Sequence, residues 1–224
     1  MKEKFLKGLK WFLNSYIWLG IILFVIDIVT KNIVVQHSKQ ITEEGGIVLI
    51  PHFLRINYVI NNKIIFGTDV FKNDIATRIV FIVVALLVSG GIIFYLIKKW
   101  DKVNRFYKAC LFMIIAGAIG NAVDRIFYTV EYLNYYDIEA GRYLTGVVDW
   151  IDFYGIWKFN FNIADSAVVV AAFMLIIYMI VMEIIDYRKK KKLEPKPEAD
   201  NTKVLSKTEQ EKNKYLQDKE SKDE

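Results

Sequence analysis

Four long apolar stretches, separated by polar connections, set the pattern of this chain: about 11–30, 75–97, 106–128 and 161–185. A helix needs about 20 apolar residues to cross the hydrocarbon of a bilayer, and each stretch is long enough. Only helices or closed barrels satisfy their backbone in lipid, and these runs lack the alternation of barrel strands. The pattern predicts an all-α membrane protein with four transmembrane helices. No small-x-small cleavage site follows the first stretch, and Asp27-Ile-Val-Thr-Lys31 stands in its place. The stretch therefore reads as a retained span and not a removable leader.

The connections carry their own signals. Within 53–67, FLRINYVINNKIIFG offers two short β-prone runs around Asn61-Asn62, which predicts a hairpin or small sheet in the first long loop. Residues 127–161 hold 12 aromatics, Trp150 and Trp157 among them, a density suited to headgroup level. Lysine and arginine cluster at three places: Lys2, Lys4, Lys7 and Lys10; then Lys98, Lys99, Lys102, Arg105 and Lys108; then Arg188-Lys-Lys-Lys-Lys192. With four spans all three fall on one side, the cytoplasm, so both termini are expected there and the loops at 32–74 and 129–160 outside.

Charge divides the chain into two parts. Mean hydropathy is positive (+0.25) although a quarter of the residues are charged. Residues 186–224 hold 12 Lys/Arg and 10 Asp/Glu, leaving 33 charged residues for the first 185. The expected division is a four-helix membrane domain over 1–186 and a charged, disordered cytoplasmic tail over 187–224. The basic start of that tail suits anionic lipid. The net charge of +5 does not argue for nucleic acid, because the cations sit where a membrane protein places them.

Composition removes several chemistries. One cysteine, Cys110, gives no internal disulfide and no cysteine zinc site. Two histidines, His37 and His52, cannot form a histidine metal cluster, so no metal and no cofactor is expected. There is no G-x-S-x-G elbow, no P-loop and no G-x-G-x-x-G.

The informative positions lie where the apolar runs stop short. The charge-free run of the third span covers 109–123 and ends at Asp124-Arg125; that of the fourth covers 167–182 and follows Asp165-Ser166. Asp124 lies about 24 Å beyond Lys108 on a helical rise, and Asp165 about 34 Å before Arg188, so both acids reach similar depth at the outer edge. Each has an asparagine nearby, Asn121 and Asn162. A single such acid is explained as readily by pairing with Arg125 or Lys31 at a helix end. Two at matched depth point to chemistry: nearby carboxylates share a proton, one taking a proton from water while the other donates. Asp27 and Lys31, four apart, also suit a plain interfacial ion pair. Asn61 suits a turn, Cys110 a small core residue, and Gly117 with Gly120 close helix packing.

Those residues resemble the lipoprotein signal peptidase family, also called signal peptidase II. Asp27-Ile-Val-Thr-Lys31 is similar to its D-x-x-T-K box, and Asn61-Asn-Lys-Ile-Ile-Phe-Gly67 to N-x-G-x-A-F-G. Gly117-Ala-Ile-Gly-Asn-Ala-Val-Asp-Arg125 resembles G-x-x-G-N-x-x-D-R. Val147-Val-Asp-Trp-Ile151 resembles V-V-D-F, and Phe161-Asn-Ile-Ala-Asp165 resembles F-N-x-A-D. The resemblance implies an aspartic endopeptidase of a bacterial cytoplasmic membrane, active at its outer face. Its partners would be membrane lipids and prolipoproteins, cut just before a diacylglyceryl-modified cysteine. Asp124 and Asp165 would be the catalytic pair, with their acid and base roles open because a coupled dyad titrates as a unit. Asn61, Asn121, Arg125 and Asn162 would line the site; Asp27, Lys31 and Asp149 would support it. A small sheet from the first outer loop would cradle the substrate.

The chain departs from the family at Lys63, which stands for a glycine, and at Ile64-Ile65. The segment between Arg125 and Val147 is longer than usual, Lys158-Phe159 replaces a proline before the last box, and the charged tail is an addition. The rival class is a small ion- or proton-coupled transporter using the same acids. Transporter acids favour the midplane between broken helices, whereas these sit at one face. A catalytically silent member chaperoning lipoproteins is opposed by the retention of both aspartates.

Overall fold

The computed structural model describes residues 1–61, 74–127, 136–137, 142–143, 146–193 and 209–215. The chain forms two compact units, Met1–Ile177 and Tyr178–Glu224. In the second, the last helix continues to Leu193, through the basic run that its sequence assigned to the tail, and 209–215 are helical. The rest of the expected disordered tail lies outside the described residues.

Among the described residues, four helices are long and apolar enough to cross a membrane: α2 (Ile17–Gln36), α4 (Asp74–Lys99), α5 (Arg105–Phe127) and α6 (Ile163–Leu193). The chain is a multi-pass membrane protein, mostly helical, with a small antiparallel sheet. The first span differs from its expected bounds. A separate helix, α1 (Lys2–Ser15), precedes it, and Tyr16 between them takes a left-handed conformation at φ 62°. Ser15 makes the break: its hydroxyl donates to the Phe12 carbonyl at 2.6 Å and accepts from the Ile17 amide at 3.2 Å. The span then runs six residues beyond the expected end at Thr30, so Asp27 and Lys31 lie inside the helix instead of at its edge. A short helix, α3 (Ser38–Glu43), follows.

The main sheet has four strands in the order β1-β2-β5-β6, all antiparallel. Its strands are β1 (Ile47–Ile50), β2 (Leu54–Asn61), β5 (Val147–Asp152) and β6 (Asn160–Phe161). A separate two-residue pair, β3 (Tyr136–Asp137) and β4 (Arg142–Tyr143), lies between them in sequence. The hairpin turns at residues 51–53, joining β1 to β2. Asn61 instead ends β2, and the run after it, with Lys63, lies outside the described residues, as does most of the long segment after Phe127. Half of the main sheet comes from the segment before the fourth span, which pairs Asn61 with Val147 and Val59 with Asp149.

The sheet closes over the end of α2. Val34, Val35, Ile41, Tyr58, Ile60 and Val148 form a buried apolar cluster, with Ile47, Ile56 and Trp150 packed on it. Burying such side chains stabilises by roughly 1.5–3 kcal/mol each, which fixes the strands against the helix ends. This places the tip of β2 and the start of β5 beside the ends of α5 and α6.

Candidate active site

Small residues let three helices converge. A Cβ on Gly117 would strike the Ala164 carbonyl and Val168, and one on Gly120 would stand 2.7 Å from Asp27 Oδ2. Where α2, α5 and α6 meet, the chain buries polar side chains: Asp27, Lys31, Asp124 and Asn162 are completely buried and Asp149 nearly so.

Lys31 is the centre of the arrangement. Its Nζ lies 2.6 Å from Asp27 Oδ2 and 2.9 Å from Asp124 Oδ2, and donates to Asn121 Oδ1 at 3.1 Å. Asn121 Nδ2 passes the connection on to Asp165 Oδ1 at 2.7 Å. One ammonium and one amide therefore link the two acids that the sequence singled out. Burying an ammonium is tolerable only with such partners on every side.

The start of α6 is a capping box. Asn162 Oδ1 accepts from the Asp165 amide at 2.8 Å, and Asp165 Oδ2 accepts in return from the Asn162 amide at 3.4 Å. Asp27 Oδ1 takes the next free amide, that of Ala164, at 2.9 Å. Two carboxylates thus meet the positive end of α6, where the helix dipole favours them. The Asn-x-x-Asp spacing of 162–165 is the sequence signal for this box.

Asp149, expected to support the site, is bonded within the network. Its Oδ2 accepts from Asn61 and its Oδ1 from Asn162, both at 2.8 Å. Asn162 Nδ2 also reaches Asn121 Oδ1 at 3.1 Å. Burial, then the charge of Asp165, pushes the Asp149 carboxyl up to about 8, against the pull of Asn61, Lys31 and Asn162. Burial thus favours its protonated form. Asp124 Oδ2 accepts from the Val148 amide at 3.2 Å, so β5 is docked on α5 through an acid of the site. The other oxygen of Asp124, Oδ1, is buried with no hydrogen-bond partner among the described residues. A buried acceptor left open in this way is equipped to hold a water or a substrate group.

Eight of the nine residues picked out in the sequence join this one network: Asp27, Lys31, Asn61, Asn121, Asp124, Asp149, Asn162 and Asp165. Arg125 stands apart. Its guanidinium lies 4.4 Å from the Phe81 ring and donates to the Asn121 carbonyl at 3.2 Å, within the field of Asp165, Asp124 and Asp149 but bonded to none of them. Two elements were not legible in the sequence. Arg78 on α4 donates to the carbonyls of Arg125 and, at 2.9 Å, Ile126, closing the end of the helix that carries Asp124. On the sheet, Asp152 accepts from Arg55 at 2.6 Å and from Asn57 at 3.4 Å. Neither arginine belongs to a recognisable motif, and both act through atoms that only the fold brings near.

Membrane spans converging on a carboxylate-rich, lysine-centred site beneath a small sheet define the class: a multi-pass membrane protein with a buried acid–base centre. A family model described as signal peptidase (SPase) II matches residues 19–181. A lipoprotein signal peptidase of Fusobacterium nucleatum is 31% identical over 178 residues, which is 80% of this chain and 90% of that protein. A lipoprotein signal peptidase of Clostridioides difficile is 32% identical, over 75% of this chain and 96% of that protein. A bacterial membrane enzyme solved at 2.3 Å by the in meso method shares the fold. Its TM-score is 0.54 at 23% identity, covering 84% of this chain and 96% of that one. The chain belongs to the signal peptidase II family and is a protease.

Proposed function

We propose that this enzyme removes the signal peptide from diacylglyceryl-modified prolipoproteins, cutting just before the lipidated cysteine, with Asp124 and Asp165 as the catalytic pair. The observation that carries this reading is the unpartnered Oδ1 of buried Asp124, in an acid otherwise tied through Lys31 and Asn121 to Asp165. One carboxylate takes a proton from water as it attacks the scissile carbonyl, and the other protonates the departing amine. The pair works as one titrating unit. Asn121 and Asn162 hold Asp165 in place, Asn61 holds Asp149, and Arg125 lends positive charge to the developing oxyanion. Asp27, Lys31 and Asp149 hold the centre together.

The depth of the site suits this substrate. A signal peptide is an apolar helix whose lipidated cysteine sits at the membrane surface, so its scissile bond arrives where the spans end. Both termini are then cytoplasmic, the site lies at the outer face, and the sheet cradles the peptide while the acyl chains stay in the bilayer. Residues 1–186 form the peptidase domain and 187–224 a charged cytoplasmic tail.

The test is cleavage of a diacylglyceryl-modified prolipoprotein by the purified, reconstituted protein, with an unlipidated precursor as control. Wild type should cleave only the lipidated form, and Asp124→Asn and Asp165→Asn should each lose roughly 10²–10⁴-fold in rate. Normal turnover by a folded Asp124→Asn protein would remove the pair from the mechanism. Equal cleavage of the unlipidated precursor would overturn the substrate.

A further inference from the structure

Helix α1 (Lys2–Ser15) lies before the residues that the family model matches, which begin at 19. Its helical period gathers Phe5, Leu6, Leu9, Phe12 and Leu13 on one side and Lys4, Lys7, Lys10 and Asn14 on the other. Phe5, Leu6, Leu9 and Leu13 are exposed. At 14 residues it is too short to span. A lysine-rich amphipathic helix of this kind lies in the membrane interface. The left-handed Tyr16 turns the chain from it into the first span, and Trp11 stacks on Trp100 at 5.7 Å, holding α1 to the junction between α4 and α5.

Between α1 and the start of α5 runs an open groove of about 500 Å³. This is within the range of roughly 300–1,000 Å³ usual for small-ligand sites. Leu6, Leu9 and Leu13 supply an apolar wall, and Lys10, Asn14 and Arg105 a polar rim. Lys10 and Arg105 are exposed, and neither meets a carboxylate among the described residues.

We propose that this groove seats one anionic phospholipid, with an acyl chain along the three leucines and the phosphate between Lys10 and Arg105. Charge decides the occupant. Two cations on the rim complement a headgroup with net negative charge, whereas a zwitterionic headgroup brings its own ammonium beside them. The surrounding leaflet supplies the ligand directly. This site lies at the other end of α5 from Asp124 and does not depend on how the peptidase chemistry is assigned.

The experiment is native mass spectrometry of the delipidated full-length protein in detergent, titrated with phosphatidylglycerol and, separately, with phosphatidylcholine of the same chains. Wild type should retain one phosphatidylglycerol in clear preference to phosphatidylcholine. The double variant K10Q/R105Q should lose on the order of tenfold or more of that retention, since each cation near an anionic lipid surface contributes about 1 kcal/mol. K4Q/K7Q, which removes two charges away from the groove, should bind as wild type does, and Leu9→Trp should lose the lipid with every charge intact by filling the groove. All three alter exposed side chains, and unchanged unfolding temperatures would show that each folds. Equal retention of the two lipids overturns the proposal. So does equal loss in K4Q/K7Q and K10Q/R105Q, which would mean diffuse attraction to a basic helix, or full retention in K10Q/R105Q or Leu9→Trp.

Discussion

Helices α4 and α5 are neighbours of similar length, 26 and 23 residues, and both are apolar enough to span a bilayer. Only 11% of the spanning part of α4 is buried, against 39% of that of α5. The more hydrophobic helix is the more exposed, and the less hydrophobic one carries Asp124 of the proposed pair. In lipid, apolar surface has no need of a protein partner, so burial falls to the helix with small and polar residues. Gly117, Gly120, Asn121 and Asp124 dilute the hydropathy of α5 and are the residues that fix where it packs.

The comparison can be broken in five ways. The largest effect is expected from Lys31→Met, which leaves Asp27 and Asp124 buried against each other without their cation. Removing one partner of a buried ion pair costs about 3–5 kcal/mol. Thermal unfolding in detergent should show a large fall, and an unfolding temperature close to wild type would mean that the acids are held by something else. Gly117→Ala comes next. Its Cβ meets the Ala164 backbone carbonyl, which cannot swing away, so overpacking of about 1–3 kcal/mol is expected. The same assay reads it.

Third is Arg78→Gln, the one substitution on α4 expected to reach the site. It removes charged donors from the last carbonyls of α5, worth about 1–3 kcal/mol, and loosens the turn bearing Asp124 and Arg125. Steady-state cleavage should show kcat falling by roughly tenfold or less with KM little changed. A change confined to KM would place Arg78 in substrate binding instead.

The fourth concerns pH. Burial pushes the Asp149 carboxyl up to about 8 in the folded protein, above its unfolded value near 3.9. A raised folded value means that the folded state binds the proton more tightly. The stabilising contribution is full below the unfolded value, declines as pH rises above it and is gone once pH passes about 8. Between pH 6 and 8 wild type should lose at most about 1.4 kcal/mol per pH unit from this group, and Asp149→Asn should flatten the slope. Parallel slopes for the two proteins would count against a proton on Asp149. The smallest effect belongs to Gly91→Ala on α4. A methyl there meets nothing within 4 Å, so the helix should gain up to about 1 kcal/mol from reduced backbone freedom. A loss would show that Gly91 is packed against a neighbour.

Hydropathy made the four spans legible because membrane crossing demands a run of apolar residues that little else produces. The box motifs made all eight residues of the network legible. What stayed hidden depends on contacts between distant segments. The break at Tyr16 lies inside one continuous apolar-rich stretch and is set by a serine hydroxyl bonding its own backbone. The sheet could not be read from one loop, since β2 finds its partner β5 some 90 residues later, at Asn61 and Val147. Arg78 acts through backbone carbonyls, which leave no mark on side-chain pattern.

The i,i+4 pair of Asp27 and Lys31 has a bearing on assembly. Both residues sit on α2, so this span carries its own counter-ion and needs no other span to offset the charge of Lys31. Its ammonium still has hydrogens to offer, and these are taken up only when Asn121 and Asp124 of the third span come alongside. The electrostatic centre is thus half assembled within one helix, and Asn121 and Asp124 of α5 complete it.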